Sequence, residues 1–213
     1  MLYRLDLLTL IFNTLKMVRC FYYQLIFVLK FRYLYGFFGF MRKLYFIAQG
    51  MKISKGTVLP KLYVTWPHQV SIGEFCILEP DIIFKFDGIW KSEPSIFIHD
   101  RVFIGYGCEF NIRLTIQVGD DSLIASGCKF IDHDHGIVLG HLVRLQHGPE
   151  KEIKIGKDVW LGINVIVLKG VTIADGAIVA AGAVVTKSIP KNEIWAGIPA
   201  KKIGERNLIN LYK

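Results

Sequence analysis

The chain has 213 residues, of which 52% are hydrophobic and 21% charged, with 20 Gly and 7 Pro. This composition excludes a disordered chain, a collagen-like chain and a coiled coil, and the length suits one domain with or without an arm. Four Cys are too few for a disulfide scaffold and point to reduced thiols in a cytosolic compartment, while a net charge of +8 makes the placement of charge informative.

Residues 1–50 are the first predicted element, a basic amphipathic helical arm. They carry Arg4, Lys16, Arg19, Lys30, Arg32, Arg42 and Lys43 against Asp6 alone, and half of the chain's Phe, Tyr and Trp. The uncharged stretches Leu7–Leu15, Cys20–Leu29 and Tyr33–Met41 each fall short of the ~20 apolar residues that span a bilayer. No small-residue cleavage site follows a single apolar run, which argues against a signal peptide. Basic residues between apolar, aromatic blocks suit a helix lying in the lipid interface, with Lys and Arg toward anionic headgroups. The expectation is a cytoplasmic protein held peripherally on the inner membrane; packing of the arm on the body or within an oligomer is the alternative. The remaining residues are nearly neutral, with 19 basic and 17 acidic side chains and no recognition motif, which argues against nucleic acid.

Residues 51–205 form the body, and a six-residue repeat sets its fold. Positions 155, 161, 167, 173, 179 and 185 are Ile, Leu, Val, Ile, Val and Val. Two residues before each stand Ile153, Val159, Val165, Val171, Ala177 and Ala183. Neither a helical period nor simple alternation produces this pattern; short strands joined by tight turns do. The spacing continues at Ile72, Leu78 and Phe84, at Ile98, Ile104 and Phe110, and at Val118, Ile124 and Phe130. Three hexads make one triangular coil, so five coils are predicted, starting at Ile72, Ile98, Val118, Ile155 and Ile173. Ile53 with Leu59 hints at one more, and insertions fall near 90–97, 116–117 and 132–152. The fold class is therefore all-β, a triangular prism of stacked parallel coils with an aliphatic core and the arm over its N-terminal end. Cys76, Cys108 and Cys128 occupy inward small positions and are predicted to pack rather than react. Residues 206–213 are a C-terminal tail.

The segment VWLGINVIVLKGVTIADGAIVAAGAVVTKSIP, followed by WAGIPAKKI, resembles the C-terminal signature of the hexapeptide-repeat acyltransferases. The stretch QVGDDSLIASGCKFIDHDHGI resembles the branch that O-acetylates sugars of surface glycans. The resemblance covers about residues 70–205 and implies a left-handed parallel β-helix, an exception to the right-handed crossover rule. It also implies acetyl-CoA as co-substrate, no metal, a homotrimer with sites between neighbouring prisms, and a glycan or lipid-linked glycan as acceptor.

The insertion at 132–152 holds His133, His135, His141 and His147, four of the chain's six His. A loop leaving a rigid repeat array is a natural place for chemistry. Acetyl transfer to a sugar hydroxyl needs a base near neutral pH, a role that imidazole suits. By register from Ile124, the resemblance assigns that role to His135, with Asp132, His133 and Asp134 orienting it or positioning the acceptor. It matches Asn111 to the residue that hydrogen-bonds the acceptor hydroxyl. It places Trp160, Gly162, Ala181, Thr186, Lys187 and Lys201 along the CoA site, where small residues admit the pantetheine arm and Lys meets phosphate. Ile163 stands where relatives have a small polar residue. The implied mechanism is direct transfer without an acyl-enzyme. Rival readings are an acetyltransferase of an antibiotic or amino-sugar, a γ-class carbonic anhydrase with zinc on three His, and a non-enzymatic scaffold.

Overall fold

The structure, a computed structural model, describes residues 2–206, with side chains described outside residues 2–12 and 31–33. Most of the predicted tail, 207–213, lies outside the described residues. The chain forms two compact units, Met1–Met41 and Arg42–Lys213.

The predicted arm is helical: α1 spans Leu2–Val28, a π-helical turn spans Leu29–Leu34, and α2 spans Tyr35–Ala48. In α1, Phe21, Tyr22, Tyr23, Leu25, Ile26 and Phe27 are all exposed. At 3.6 residues per turn these positions spread over about two thirds of the circumference, wider than the single apolar stripe of an amphipathic helix. Its cations are too sparse to build a polar face. Among the described residues, no helix is long and apolar enough to cross a membrane.

The last turns of α2 belong to the second unit. Gly50, at φ +90°, ends the helix in a Schellman motif: Gly50 N donates to Ile47 O at 2.9 Å and Met51 N to Phe46 O at 3.0 Å. Phe46 packs on the core beside buried Met51. Arg42 donates to Leu59 O at 3.1 Å, and Lys43 to Ser54 O at 2.6 Å. Residues 42–51 thus cover the first coil, which would otherwise expose an apolar end and unpaired carbonyls.

Three sheets form the faces of the prism. The first stacks Lys52–Ile53, Val70–Ile72, Ile96–Ile98, Ile116–Val118, Ile153–Ile155 and Thr172–Ile173. The second stacks Ile77–Leu78, Phe103–Ile104, Leu123–Ile124, Trp160–Leu161, Ile178–Val179 and Glu193–Ala196, and Lys201–Glu205 folds back antiparallel on its end. The third stacks Leu62–Val64, Ile82–Phe86, Glu109–Ile112, Lys129–Ile131, Ile166–Leu168 and Val184–Val185. The hexad register is the stacking register. Ile53, Ile72, Ile98, Val118, Ile155 and Ile173 pair in succession on the first face. Leu78, Ile104, Ile124, Leu161 and Val179 do so on the second. Phe84, Phe110, Phe130, Val167 and Val185 do so on the third, after Val64.

These positions form one continuous buried core, in which Phe110 stacks between Phe84 and Phe130 with centroids 5.0 and 4.6 Å apart. The three inward Cys are buried as predicted and donate to carbonyls of neighbouring coils: Cys76 to His99 O, Cys108 to Ala125 O and Cys128 to Gly162 O. Burial pushes the Cys76 thiol up. The adjoining Cys108 sulfur and then burial push Cys128 up, while the contact with Cys128 pulls Cys108 down.

Candidate active site

The insertion at 132–152 is built as an antiparallel hairpin, His133–His135 against His147–Glu150, rather than an open loop. His135 and His147 face each other in its register. Gln146 closes the tip from within: its Oε1 accepts from Val138 N at 2.8 Å, and its Nε2 donates to Val138 O and His141 O. Beyond that clasp, Ile137 and Leu139 are exposed.

Asp132 is the hinge from prism to hairpin. It is fully buried, and its carboxylate accepts from Arg113 N at 2.9 Å and Leu114 N at 2.7 Å in the coil below. The same carboxylate lies 3.0 Å from His133 Nδ1. A carboxylate fixed by two amides holds the imidazole and leaves Nε2 free for other chemistry. Asp134 pairs with Lys169 of the next coil, and Glu150 pairs with Arg113 at 3.0 Å, so both strands of the hairpin are pinned to the prism.

Between hairpin and prism lies a 540 Å³ cleft lined by Asn111, Ile131, His133, Asp134, His135 and Gly136, among others. Asn111 reaches it because it pairs in register with Ile131, one residue before Asp132. Asn111 Oδ1 is buried with no hydrogen-bond partner among the described residues. An orphaned acceptor in a cleft suits a ligand that brings a donor, such as a hydroxyl. The residues expected to handle the acceptor therefore converge, with Asp132 beneath them. Sequence reasoning missed Lys169, Arg113, Glu150 and Gln146, which build the site from other coils or from across the hairpin and leave no local signal.

The residues expected at the CoA site do not line this cleft. Trp160 stands exposed on the second face between Leu123 and Ile178. Gly162 and Ala181 are neighbours on successive coils: a Cβ at Gly162 would lie 2.6 Å from Ala181 N, so only glycine permits that stacking. Thr186 and Lys187 follow the last strand of the third face, and Lys201 pairs with Ala196; all three are exposed. Among the described residues, Lys187 and Lys201 have no ion-pair partner, whereas Lys202 is held by Glu193 at 2.8 Å and by Glu205. That Lys202 contact, and then Trp195 Nε1, hold the Glu193 carboxyl below its ordinary range. Among the described residues no group of three His, Cys, Asp or Glu is placed to hold a metal ion.

A family model for the bacterial transferase hexapeptide (six repeats) matches residues 152–187, and one for the hexapeptide repeat of succinyl-transferase matches residues 96–128. A probable acetyltransferase of Mycobacterium tuberculosis is 32% identical over 78% of this chain and 52% of its own length. The galactoside O-acetyltransferase of Escherichia coli K12 is 31% identical over 64% of each chain. A relative in Dictyostelium discoideum is 37% identical over 63% of this chain and 67% of its own length. The N-acyltransferase AntD of Bacillus cereus, solved with an amino-sugar nucleotide and coenzyme A, superposes with a TM-score of 0.65 at 21% identity, over 78% of this chain and 89% of that one. The chain belongs to the hexapeptide-repeat acyltransferase family, and its prism is the left-handed parallel β-helix of that family. It spans about half to two thirds of the length of the first curated relatives it matches.

Proposed function

We propose that the protein transfers an acetyl group from acetyl-CoA to a sugar hydroxyl of a surface glycan or its lipid-linked precursor. One observation carries the reading: on a prism of this family, the cleft is lined by two imidazoles, His133 and His135, and by the orphaned acceptor Asn111 Oδ1. Asn111 Oδ1 takes a hydrogen bond from the acceptor and sets its orientation, a positioning effect that lowers the entropic barrier. His135 removes the proton of the reacting hydroxyl. His133, fixed by Asp132, shapes the wall beside it.

Acetyl-CoA supplies the acyl group as a thioester. The residues expected to hold it fit in kind: glycine at 162 lets the coil of Ala181 stack close, Trp160 offers an exposed indole, and Lys187 and Lys201 offer ammonium groups to phosphate. The side chain of Ile163 offers no hydrogen bond to a thioester carbonyl, which leaves that task to a backbone amide. Donor residues and cleft lie on different parts of one chain, which supports a homotrimer whose sites join His135 of one copy to Trp160 of the next. Relatives that act on galactosides favour a sugar hydroxyl.

A second reading exchanges the two imidazoles: the 3.0 Å contact with Asp132 favours His133 as base. The test is CoA release from acetyl-CoA by wild type, His135→Ala and His133→Ala, with and without membrane glycolipid from the source. Release that needs glycolipid and His135 supports the proposal. Loss only in His133→Ala moves the base, and absence of release with every acceptor sinks the reading. Residues 1–50 would hold the enzyme at the anionic inner membrane surface, since their exposed apolar and aromatic side chains need a non-aqueous neighbour and their Lys and Arg suit anionic headgroups. Flotation with anionic liposomes that leaves the protein in solution would refute this.

A further inference from the structure

The corners between the third and first sheets stack along one edge of the prism. From the N-terminal end they are residues 65–69, 87–95, 113–115, the hairpin insertion at 132–152, and 169–171. The candidate active site is built on the fourth corner. The first two carry an aromatic cluster that takes no part in it. His68 sits between Trp66 and Trp90, with ring centroids 5.9 Å from each. Both indoles are exposed, Trp66 at 50% and Trp90 at 68%.

Hydrogen bonds tie together the corners that carry the cluster. His68 Nε2 lies 3.2 Å from Lys91 O, and Gln69 Nε2 donates to the same carbonyl at 2.5 Å. Ser95 N donates to Gln69 O at 3.0 Å, which ties the end of the second corner to the first. Lys91 Nζ donates to Leu114 O at 3.0 Å and so ties the second corner to the third, where Asp132 anchors the hairpin. Exposed aromatic faces on a pre-organised support bind with little loss of side-chain freedom.

We infer that Trp66, His68 and Trp90 form a subsite for the part of the acceptor glycan remote from the reacting hydroxyl. The electron-rich face of an aromatic ring attracts the C–H-lined face of a pyranose, and this contact needs no charge. The placement selects a chain rather than a single sugar. Strands stack about 4.8 Å apart, so the aromatic corners lie about 10–14 Å along the edge from the His133 corner. That span exceeds one sugar ring and is within reach of a short oligosaccharide. The inference rests on the glycan reading of the acceptor given above, and it makes that acceptor an extended glycan.

The test uses the full-length protein with Trp66→Ala and Trp90→Ala. Intrinsic fluorescence is titrated with glucose, galactose and N-acetylglucosamine, each as monosaccharide and as hexasaccharide. The expected result is a hexasaccharide that binds at least about tenfold tighter than its monosaccharide, with that advantage lost in both variants. With membrane glycolipid as acceptor, KM rises about tenfold in the variants, while turnover of a monosaccharide acceptor is unchanged. The inference is overturned if no hexasaccharide outbinds its monosaccharide, or if the advantage survives both substitutions. It is also overturned if the variants change subunit stoichiometry by light scattering, which makes the cluster a subunit contact. A Trp66- and Trp90-dependent blue shift with sugar-free anionic vesicles overturns it in favour of a lipid anchor. Hexasaccharide binding without turnover of any acceptor would keep the subsite and fail the transferase reading, so the two failures are separable.

Discussion

Asp132 shows how one side chain links fold and site. Its carboxylate closes the corner at Arg113 and Leu114 and holds His133 from below. Asp132→Ala leaves two buried amides without acceptors, at a cost on the order of 1–3 kcal/mol each, and frees the imidazole. The expected outcome is a lower urea midpoint together with lost transfer, whereas His135→Ala loses transfer alone. Removing a general base lowers kcat by about 10²–10⁴-fold, and His135 is exposed, so urea unfolding of that variant should match wild type. Parallel measurement of kcat and urea midpoint on both variants checks the pair. Equal destabilisation would make His135 a structural residue. The resemblance pointed to His135, by register from Ile124, and the structure puts it in the cleft. The burial of Asp132 was not legible in the sequence, because its partners lie 18 and 19 residues upstream on another coil.

The coil is the repeating element, and its register was legible almost throughout. From Ile72 to Val185 the hexads name each stacked pair, because one inward aliphatic residue per strand is the condition for a continuous core. Legibility fails where geometry departs from six. The first coil uses Ile53, Leu59 and Val64, one residue short, with Pro60 in the shortened side. The hairpin strands His133–His135 and His147–Glu150 carry no β-branched residues and no apolar alternation, so nothing marks them as strands before their backbones pair. The Phe stack tests the core at this scale: Phe110→Ala should cost about 3–5 kcal/mol, because rigid coils above and below prevent collapse into the void. A smaller shift in urea denaturation would mean that the coils relax. The corners make a second prediction. Arg101 bonds both oxygens of Asp121 at 2.7 and 2.9 Å, and Lys157 pairs with Asp120 at 2.8 Å. Those hydrogen bonds hold both carboxyls below their ordinary range. A depressed carboxylate stabilises the fold above its unfolded pKa, near 4, and that contribution disappears as pH falls through the folded value. The urea midpoint should therefore stay level from about pH 6 to 8 and fall below about pH 4, less steeply in Asp121→Asn. An identical acid limb in that variant would remove the Arg101 pair from the account.

At the scale of the whole molecule, the residues proposed to handle the acceptor share one cleft, and those proposed to hold the donor are elsewhere on the chain. His133, His135 and Asn111 share the cleft beside the third face, while Trp160 stands exposed on the second. On the proposed reading a single prism presents two half-sites, and a closed ring of copies can join the acceptor half of each to the donor half of its neighbour. This arrangement predicts complementation. His135→Ala and a donor-side variant, Trp160→Ala with Lys187→Ala and Lys201→Ala, are each expected to be inactive as homo-oligomers. Mixed by co-refolding in equal amounts, they should regain about a quarter of wild-type turnover, because a random ring joins an intact His135 half to an intact donor half at about one interface in four. Sites contained within one chain would recover nothing, since no chain in the mixture carries both intact halves. The measurement is CoA release by the mixture after size-exclusion confirms that mixed oligomers have formed. Recovery fixes the catalytic unit as the interface between two copies, and its absence from a confirmed hetero-oligomer fixes it as the single chain.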